Sequence, residues 1–113
     1  MDLEKYRTEA DKYFGKIPKT HNCAQSVAAM AGRDDLVAPM EANGGGRGEG
    51  GLCGALIALL AVTPESRRDD SLRRFSELAG ATRCREIKST AKTPCRDCVA
   101  IAAALVDELK IEN

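Results

Sequence analysis

The sequence has no excess of either charge and no long apolar run, and each absence excludes a class of protein. Lysine plus arginine and aspartate plus glutamate both number 17 among the 113 residues, which removes the electrostatic case for a nucleic-acid partner. No stretch reaches the ~18 continuous apolar residues that a membrane span needs. The charged N-terminal sequence MDLEKYRTEADKYF also lacks the apolar segment of a signal peptide. We therefore expect a soluble, cytoplasmic protein with no membrane insertion and no nucleic-acid partner.

Tryptophan is absent and other aromatic residues are scarce. The chain has two tyrosines and two phenylalanines and no run of β-branched residues, whereas alanine and leucine recur at helical spacing. This composition favours an all-α fold. A chain of this length also fits a single core. We therefore predict a single domain over residues 1–113, built as a bundle of about five helices.

Apolar spacing and capping residues predict where the helices lie. Asn22 with Gln25 three residues later has the pattern of a capping box, and the segment 52–62 is apolar on nearly every side, which marks it as central. The first predicted helix has Leu3, Tyr6, Ala10, Tyr13 and Ile17 on one face and ends near Gly15 and Pro18. A second runs from Asn22 to before Gly32, and an apolar turn over 36–42 leads towards the helix over 52–62.

The later part of the chain predicts three more helices. One has Leu72, Phe75 and Ala79 aligned and ends at Gly80, and a short one is capped by Thr82. The last has Thr93 as its N-cap and Pro94 as its first residue, and it runs to about Lys110.

The number and placement of the cysteines need an explanation. Four of the five cysteines stand where a helix is predicted to begin, and the fifth follows one turn later; they are Cys23, Cys53, Cys84, Cys95 and Cys98. A helix N-terminus carries unpaired N–H groups and positive potential, which favour a thiolate. A chain of this size needs no disulfides to fold, and a reducing compartment disfavours them. The cysteines therefore point to redox or metal chemistry.

The sharpest local motif is the CxxC formed by Cys95 and Cys98. At the start of a helix, this spacing brings two sulfurs within reach of one disulfide or one metal. The nearby Lys92 and Arg96 would add to the stabilisation of a thiolate. The alternative interpretation is a pair of small apolar residues on the core-facing side of the last helix. No histidine follows the motif, which excludes haem attachment, and no βαβ pattern surrounds it, so a thioredoxin fold is not supported.

A glycine-rich stretch, GGGRGEGG over residues 44–51, leads to Cys53. Because it lacks side chains, its backbone amides can approach whatever Cys53 binds or reacts with, so Gly50 and Gly51 are candidate cofactor-binding residues. The stretch contains a GxGxxG spacing, but neither the preceding strand nor the Gly-Lys-Ser/Thr of a phosphate-binding loop is present. The alternative is a flexible connection or a place of close helix packing.

Other polar residues carry weaker signals. His21, the only histidine, lies two residues before Cys23 and would be either a base for that thiol, a fourth metal ligand or a solvated surface residue. Cys84 lies between Arg83 and Arg85, whose charges favour its thiolate. The scattered acidic residues are expected to solvate outer faces; they are Asp2, Glu4, Glu9, Asp11, Asp107 and Glu108.

Taken together, these motifs resemble the redox-active protein family named for its C_GCAxxG_C_C cysteine pattern. The resemblance extends from about Phe14 to Leu109. Its motifs, in order, are NCAQSV from Asn22, CGA from Cys53, CREI from Cys84 and the cysteine that opens the last helix. The resemblance implies that the four family cysteines are Cys23, Cys53, Cys84 and Cys95. The chain differs from the pattern at Ala58, where the signature has glycine, and in the additional Cys98.

Two functions fit this pattern. The first is a thiol redox protein, acting by thiol/disulfide exchange or electron relay, in which the CxxC is the dithiol and Cys23 and Cys53 form a second pair or a relay. The second is a binding module for zinc or an iron–sulfur cluster, with four thiolate ligands drawn from Cys23, Cys53, Cys84 and Cys95 or Cys98. A helical interaction protein with merely packed cysteines does not account for their position at helix starts. The expected partner is a redox protein, a small thiol or a metal substrate. Both functions require the distant cysteines to converge.

Overall fold

The computed structural model describes residues 2–15, 20–109 and 111, and this part of the chain is all-α. Its α-helices, in chain order, are α1 (Leu3–Ala10), α2 (Cys23–Met30), α3 (Asp34–Val37), α4 (Gly54–Val62), α5 (Arg68–Ala79), α6 (Cys84–Glu86) and α7 (Cys95–Glu108). Turns of 3₁₀ helix cover Pro39–Gly46, Glu49–Gly51 and Glu65–Arg67, and a π-helical turn covers Ile87–Ala91. The all-α prediction is confirmed for the described residues, which contain more helical segments than the five that we expected.

The core is built around α4 and α7. Helix α7 packs against α1, α2, α4 and α5, and α4 packs against α2 as well. Leu56 and Leu59 of α4, Phe75 of α5 and Leu105 of α7 are fully buried. The central position predicted for the apolar helix is therefore confirmed. None of the helices in the described ranges has the length and apolar character of a membrane span.

The predicted ends of α2 and α5 are confirmed by their caps. The Asn22 side chain accepts a hydrogen bond from the backbone N–H of Gln25 at 2.7 Å, and the Gln25 side chain accepts one from the Asn22 N–H at 3.0 Å. This reciprocal pair is the predicted capping box. Gly80 ends α5 with a φ of 92°, a left-handed conformation that suits glycine.

The predicted start of the apolar helix is wrong by two residues. Helix α4 begins at Gly54, with Cys53 as its N-cap. Leu52 is excluded from the helix because its backbone pairs with that of Arg83 in an isolated antiparallel bridge. The N–H of Cys53 donates to the carbonyl of Thr82 at 2.8 Å. Arg83 therefore replaces Thr82 as the residue that precedes α6.

Two further predictions about the later helices are wrong. Pro94, not Thr93, is the N-cap of α7, because the Thr93 hydroxyl donates to the carbonyl of Ala79 at 2.8 Å. Leu72 does not join the buried face of α5 and is 37 % exposed. Ser71 lies in the core instead, where its hydroxyl forms a 2.9 Å hydrogen bond with the hydroxyl of Thr63.

The acidic residues do more than solvate outer faces. They connect α1 and the turns after it to α7, and α5 to the end of α7, through the pairs Arg7–Asp97, Arg96–Asp11, Arg74–Glu108 and Tyr6–Asp107. Helix α1 itself ends at Ala10, and turns continue from there to Gly15. The predictions about Ile17, Pro18 and Lys110 lie outside the described residues.

Candidate redox site

All five cysteines are free thiols, and each lies at or near the start of a helix. Cys23, Cys84 and Cys95 are the first residues of α2, α6 and α7. Cys53 is the N-cap of α4, and Cys98 lies one turn into α7. The predicted placement at helix starts is therefore confirmed.

The cysteines also gather around the glycine-rich stretch. A Cβ atom on Gly54, the first residue of α4, would lie 2.6 Å from the Cys23 Sγ, and a Cβ atom on Gly46 would lie 3.7 Å from the Cys84 Sγ. Burial raises the pKa of Cys23, and the nearby sulfurs of Cys53 and Cys84 raise it further. Segments that are distant in sequence therefore meet, as the sequence analysis requires.

Main-chain N–H groups support two of these sulfurs. The N–H groups of Gly45 and Ala24 donate to the Cys23 sulfur and partly offset the effect of burial on its pKa. The N–H groups of Ala55 and Leu56, in the first turn of α4, lower the pKa of Cys53. Because Cys53 occupies the N-cap, these groups are the ones that have no carbonyl partner within the helix.

The Cys98 thiol donates a hydrogen bond to the Cys53 sulfur, and this contact separates the two pKa values. It lowers the pKa of Cys53 from 9.0 to about 7; burial opposes the change, while the α4 amides and the positive charge of Lys88 add to it. The same hydrogen bond raises the pKa of Cys98, and burial acts in the same direction. Both residues are at least nine-tenths buried. As the pH rises through about 7, the pair therefore begins to share one proton between two sulfurs, and the α4 amides and Lys88 favour the negative charge at Cys53.

Lys88 supplies positive charge to several sulfurs at once. The charges of Cys95 and Cys84 raise the pKa of the Lys88 ammonium group, which also hydrogen-bonds the Cys84 sulfur. The sequence analysis missed Lys88, although its position four residues after Cys84 places the two on one face of a helical segment. The role expected for Arg96 is wrong, because its guanidinium group pairs with Asp11 at 2.8 and 2.9 Å.

A pocket of about 360 Å³ opens onto Cys23 and Cys95. Its lining also contains Lys88, Arg47 and Gly45. Cys95 is the most exposed of the cysteines, whereas the other four are at most 9 % exposed. Burial raises the pKa of Cys95, and Lys88 opposes that rise. Cys95 is therefore the most accessible sulfur in this pocket.

A second pocket, of about 450 Å³, contains Cys84 and shares Lys88 with the first. Arg85 and Gly51 also line it. Gly50 instead lines a larger pocket of about 680 Å³, whose described lining includes no cysteine. The two glycines predicted to bind a cofactor thus belong to different pockets.

The described side chains do not fit a metal centre. No group of three or more histidine, cysteine, aspartate or glutamate residues in the described ranges is arranged to hold one ion. The ring of His21 packs edge-on against the ring of Tyr13, with 5.4 Å between the ring centroids, and the His21 Nδ1 lies 2.9 Å from the Thr20 hydroxyl. The arrangement therefore gives no support to the zinc or iron–sulfur alternative or to His21 as a ligand.

The packing around Ala58 shows whether the core accepts the difference from the cysteine-pattern family at this position. Ala58, which stands where the signature has glycine, is 1 % exposed in the core, so the extra methyl group fits between the helices. Comparisons of the chain with family models, with curated proteins and with solved structures found no match. Membership of the family therefore stays a prediction.

Proposed function

We propose that the protein performs thiol–disulfide exchange, with Cys95 as the residue that meets the substrate and with Cys98 and Cys53 as the residues that take up the disulfide. The observation that carries the proposal is the hydrogen bond between Cys98 and Cys53, one turn behind the partly exposed Cys95. It supplies a stabilised thiolate next to a CxxC whose first sulfur opens onto a pocket.

The first step takes place at Cys95. Because burial raises the pKa of Cys95 and Lys88 only partly opposes that rise, the Cys95 thiol first loses its proton to water. The thiolate then attacks one sulfur of a substrate disulfide and forms a mixed disulfide. The S–S bond of the substrate breaks, and the departing sulfur leaves as a thiolate that takes a proton from water. One substrate half is thereby released as a thiol.

The second step uses Cys98 as the resolving residue. Its proton moves along the hydrogen bond to the Cys53 thiolate, and the resulting Cys98 thiolate attacks the Cys95 sulfur. The mixed disulfide breaks, a Cys95–Cys98 disulfide forms, and the second substrate half leaves as a thiolate that takes a proton from water. Two protein thiols have then been oxidised and one substrate disulfide has been reduced.

The third step moves the disulfide into the core. Cys53 loses its proton to water, and its thiolate attacks the Cys98 sulfur, so that a Cys53–Cys98 bond replaces the Cys95–Cys98 bond. Cys95 leaves as a thiolate and takes a proton from water. A redox partner protein or a small thiol then reduces the protein. Such a cycle needs a reducing compartment, as in the cytoplasm.

Reaction of the reduced protein with limiting oxidised glutathione, followed by alkylation and mass spectrometry of the peptides, tests the proposal. We expect a Cys53–Cys98 disulfide in the unaltered protein and a persistent glutathione adduct on Cys95 in Cys98→Ser. Cys84→Ser is the matched control and should behave like the unaltered protein. An adduct mainly on another cysteine, or an unchanged rate in Cys95→Ser, would contradict the proposal. Stoichiometric zinc or iron in protein purified without oxygen would favour the metal alternative instead.

A further inference from the structure

We propose that the substrate of this site is a small disulfide with negatively charged ends, bound in the 360 Å³ pocket that Cys95 and Cys23 share. This inference rests on the proposed thiol–disulfide exchange and names its substrate class. The reaction is the one described above, in which the disulfide is reduced to two thiols.

The charged side chains of the pocket are all basic. Arg47 and Lys88 line it, and the described lining contains no aspartate or glutamate. Arg85 lies beside Lys88 in the adjoining pocket, whose described lining is also free of acidic residues. The chain as a whole has a formal net charge of zero. The positive charge is therefore a property of this face and not of the whole molecule.

Arg47 is held in place at the rim of the pocket. Its guanidinium group donates to the carbonyl of Gly44 at 2.9 Å and to the carbonyl of Glu41 at 3.0 Å. A guanidinium group has five N–H donors in a rigid plane. Further donors therefore remain for a carboxylate, and little side-chain freedom is lost when one binds.

The carboxylates near the start of α7 are already paired. Asp97 accepts a hydrogen bond from Arg7 at 2.8 Å, and Asp11 accepts one from Arg96 at 2.8 Å. These ion pairs lower the repulsion that an incoming anion would meet. The pocket volume, about 360 Å³, is near the lower end of the ~300–1,000 Å³ that ligand pockets occupy. Both observations favour a compact anion over a peptide or a protein surface.

Three disulfides of similar length and different charge test the inference. Reduced protein is mixed in separate reactions with 3,3′-dithiodipropionate, 2-hydroxyethyl disulfide and cystamine, which carry anionic, neutral and cationic ends. Each rate constant is divided by that of the neutral dithiol dithiothreitol with the same disulfide, which corrects for the different leaving thiols. We expect the corrected rate for the anion to exceed that for the cation by at least about tenfold at low ionic strength, and we expect salt to reduce the ratio.

Charge-removing variants locate the effect. Lys88→Gln should reduce the ratio of anion to cation rates. Arg73→Gln removes a charge of the same sign from α5, where Arg73 pairs with Asp70 and Glu77, and should leave the ratio unchanged. Because the ratio compares probes within one variant, a change in thiol reactivity caused by Lys88→Gln cancels.

The outcomes separate this inference from the function on which it depends. Equal corrected rates, or a faster reaction with cystamine, would overturn the substrate class and leave the exchange reaction intact. If none of the three probes reacted faster with the unaltered protein than with Cys95→Ser, the proposed exchange would fail, and the inference would fail with it. An equal fall of the ratio in Lys88→Gln and Arg73→Gln would overturn the assignment to this pocket.

Discussion

At the scale of single residues, the chemistry of the site depends on how a buried thiolate at Cys53 is stabilised. Burial alone would raise the pKa of Cys53, but the hydrogen bond from the Cys98 thiol lowers it, and two N–H groups of α4 lower it further. Hydrogen bonds to the charged form favour that form. The pKa of Cys53 is thus lowered to about 7 although the residue is only 5 % exposed.

The free energy of unfolding of the reduced protein should increase between about pH 7 and about pH 9. The pKa of Cys53 is lowered in the folded state from 9.0 to about 7, so in this window the unfolded chain binds the proton that the folded protein has lost. Stability therefore rises with pH in the window and is lost as the pH falls through 7. The gain is at most about 3 kcal/mol. Above the window, stability should fall again, because the raised pKa of Cys98 keeps a proton on the folded protein that the unfolded chain has lost. Urea unfolding at several pH values under reducing conditions measures this dependence.

The control for this prediction is Cys98→Ala, which removes the thiol donor. The pKa of Cys53 should then move up, and the rise in stability should shrink. Ultraviolet absorbance of the thiolate reports the same titration directly. A Cys53 thiolate that titrates identically in Cys98→Ala would show that the α4 amides, and not Cys98, set its pKa.

At the scale of the helical elements, close packing at the start of α4 holds the cysteines together. A Cβ atom on Gly54 would lie 2.6 Å from both the Cys23 Sγ and the carbonyl oxygen of Asn43, so only glycine fits without movement. The same residue lets the glycine-rich turn approach α4. The glycine that follows Cys53 is therefore needed for the contact between α4 and α2.

Gly54→Ala should destabilise the protein by about 1–3 kcal/mol through overpacking and should displace Cys23. The favourable helix propensity of alanine, about 1 kcal/mol, offsets only part of this cost. Gly51→Ala is the control, because its Cβ would meet open space and its φ of +70° costs only local strain. Chemical denaturation measures stability, and the alkylation rate of Cys23 measures the displacement. A more stable Gly54→Ala protein would show that this contact is not tight.

Much of this element-scale arrangement was predictable from the sequence, and the exceptions have physical causes. The capping residues Asn22 and Gly80 located two helix ends, and helix-start positions located the cysteines, because both signals are local in the chain. The four-residue spacing between Cys84 and Lys88 is a local signal that was missed, whereas the effect of Lys88 on Cys53 and Cys23 joins segments far apart in sequence and has no local signal. The backbone pairing of Leu52 with Arg83 was missed because it joins segments far apart in sequence.

At the scale of the whole molecule, the proposed disulfide joins the two helices around which the core is built. Cys53 caps α4 and Cys98 belongs to α7, and these helices pack directly against each other. The two residues are hydrogen-bonded before oxidation. Oxidation would therefore cross-link neighbours and close a long loop of the unfolded chain.

The oxidised protein should be more stable than the reduced protein by up to roughly 4 kcal/mol, the value expected for closing a loop of this length. Strain in the folded state would lower the gain. Urea midpoints measured with and without reductant give the difference. Cys53→Ser should abolish it and Cys84→Ser should preserve it. A lower midpoint after oxidation would contradict the proposed pairing.

The Lys88 ammonium group lies among several sulfurs, and this arrangement also limits how the site responds to an oxidant. Lys88 lies near Cys23, Cys84 and Cys95, and the neighbouring sulfurs raise the pKa values of Cys23 and Cys95. Ionisation of Cys23 and Cys95 is therefore anticooperative: once one has lost its proton, the other ionises at a higher pH. Although the chain contains five thiols, it presents few nucleophiles at a time, which protects its remaining sulfurs from stepwise conversion to sulfenic and sulfinic acids.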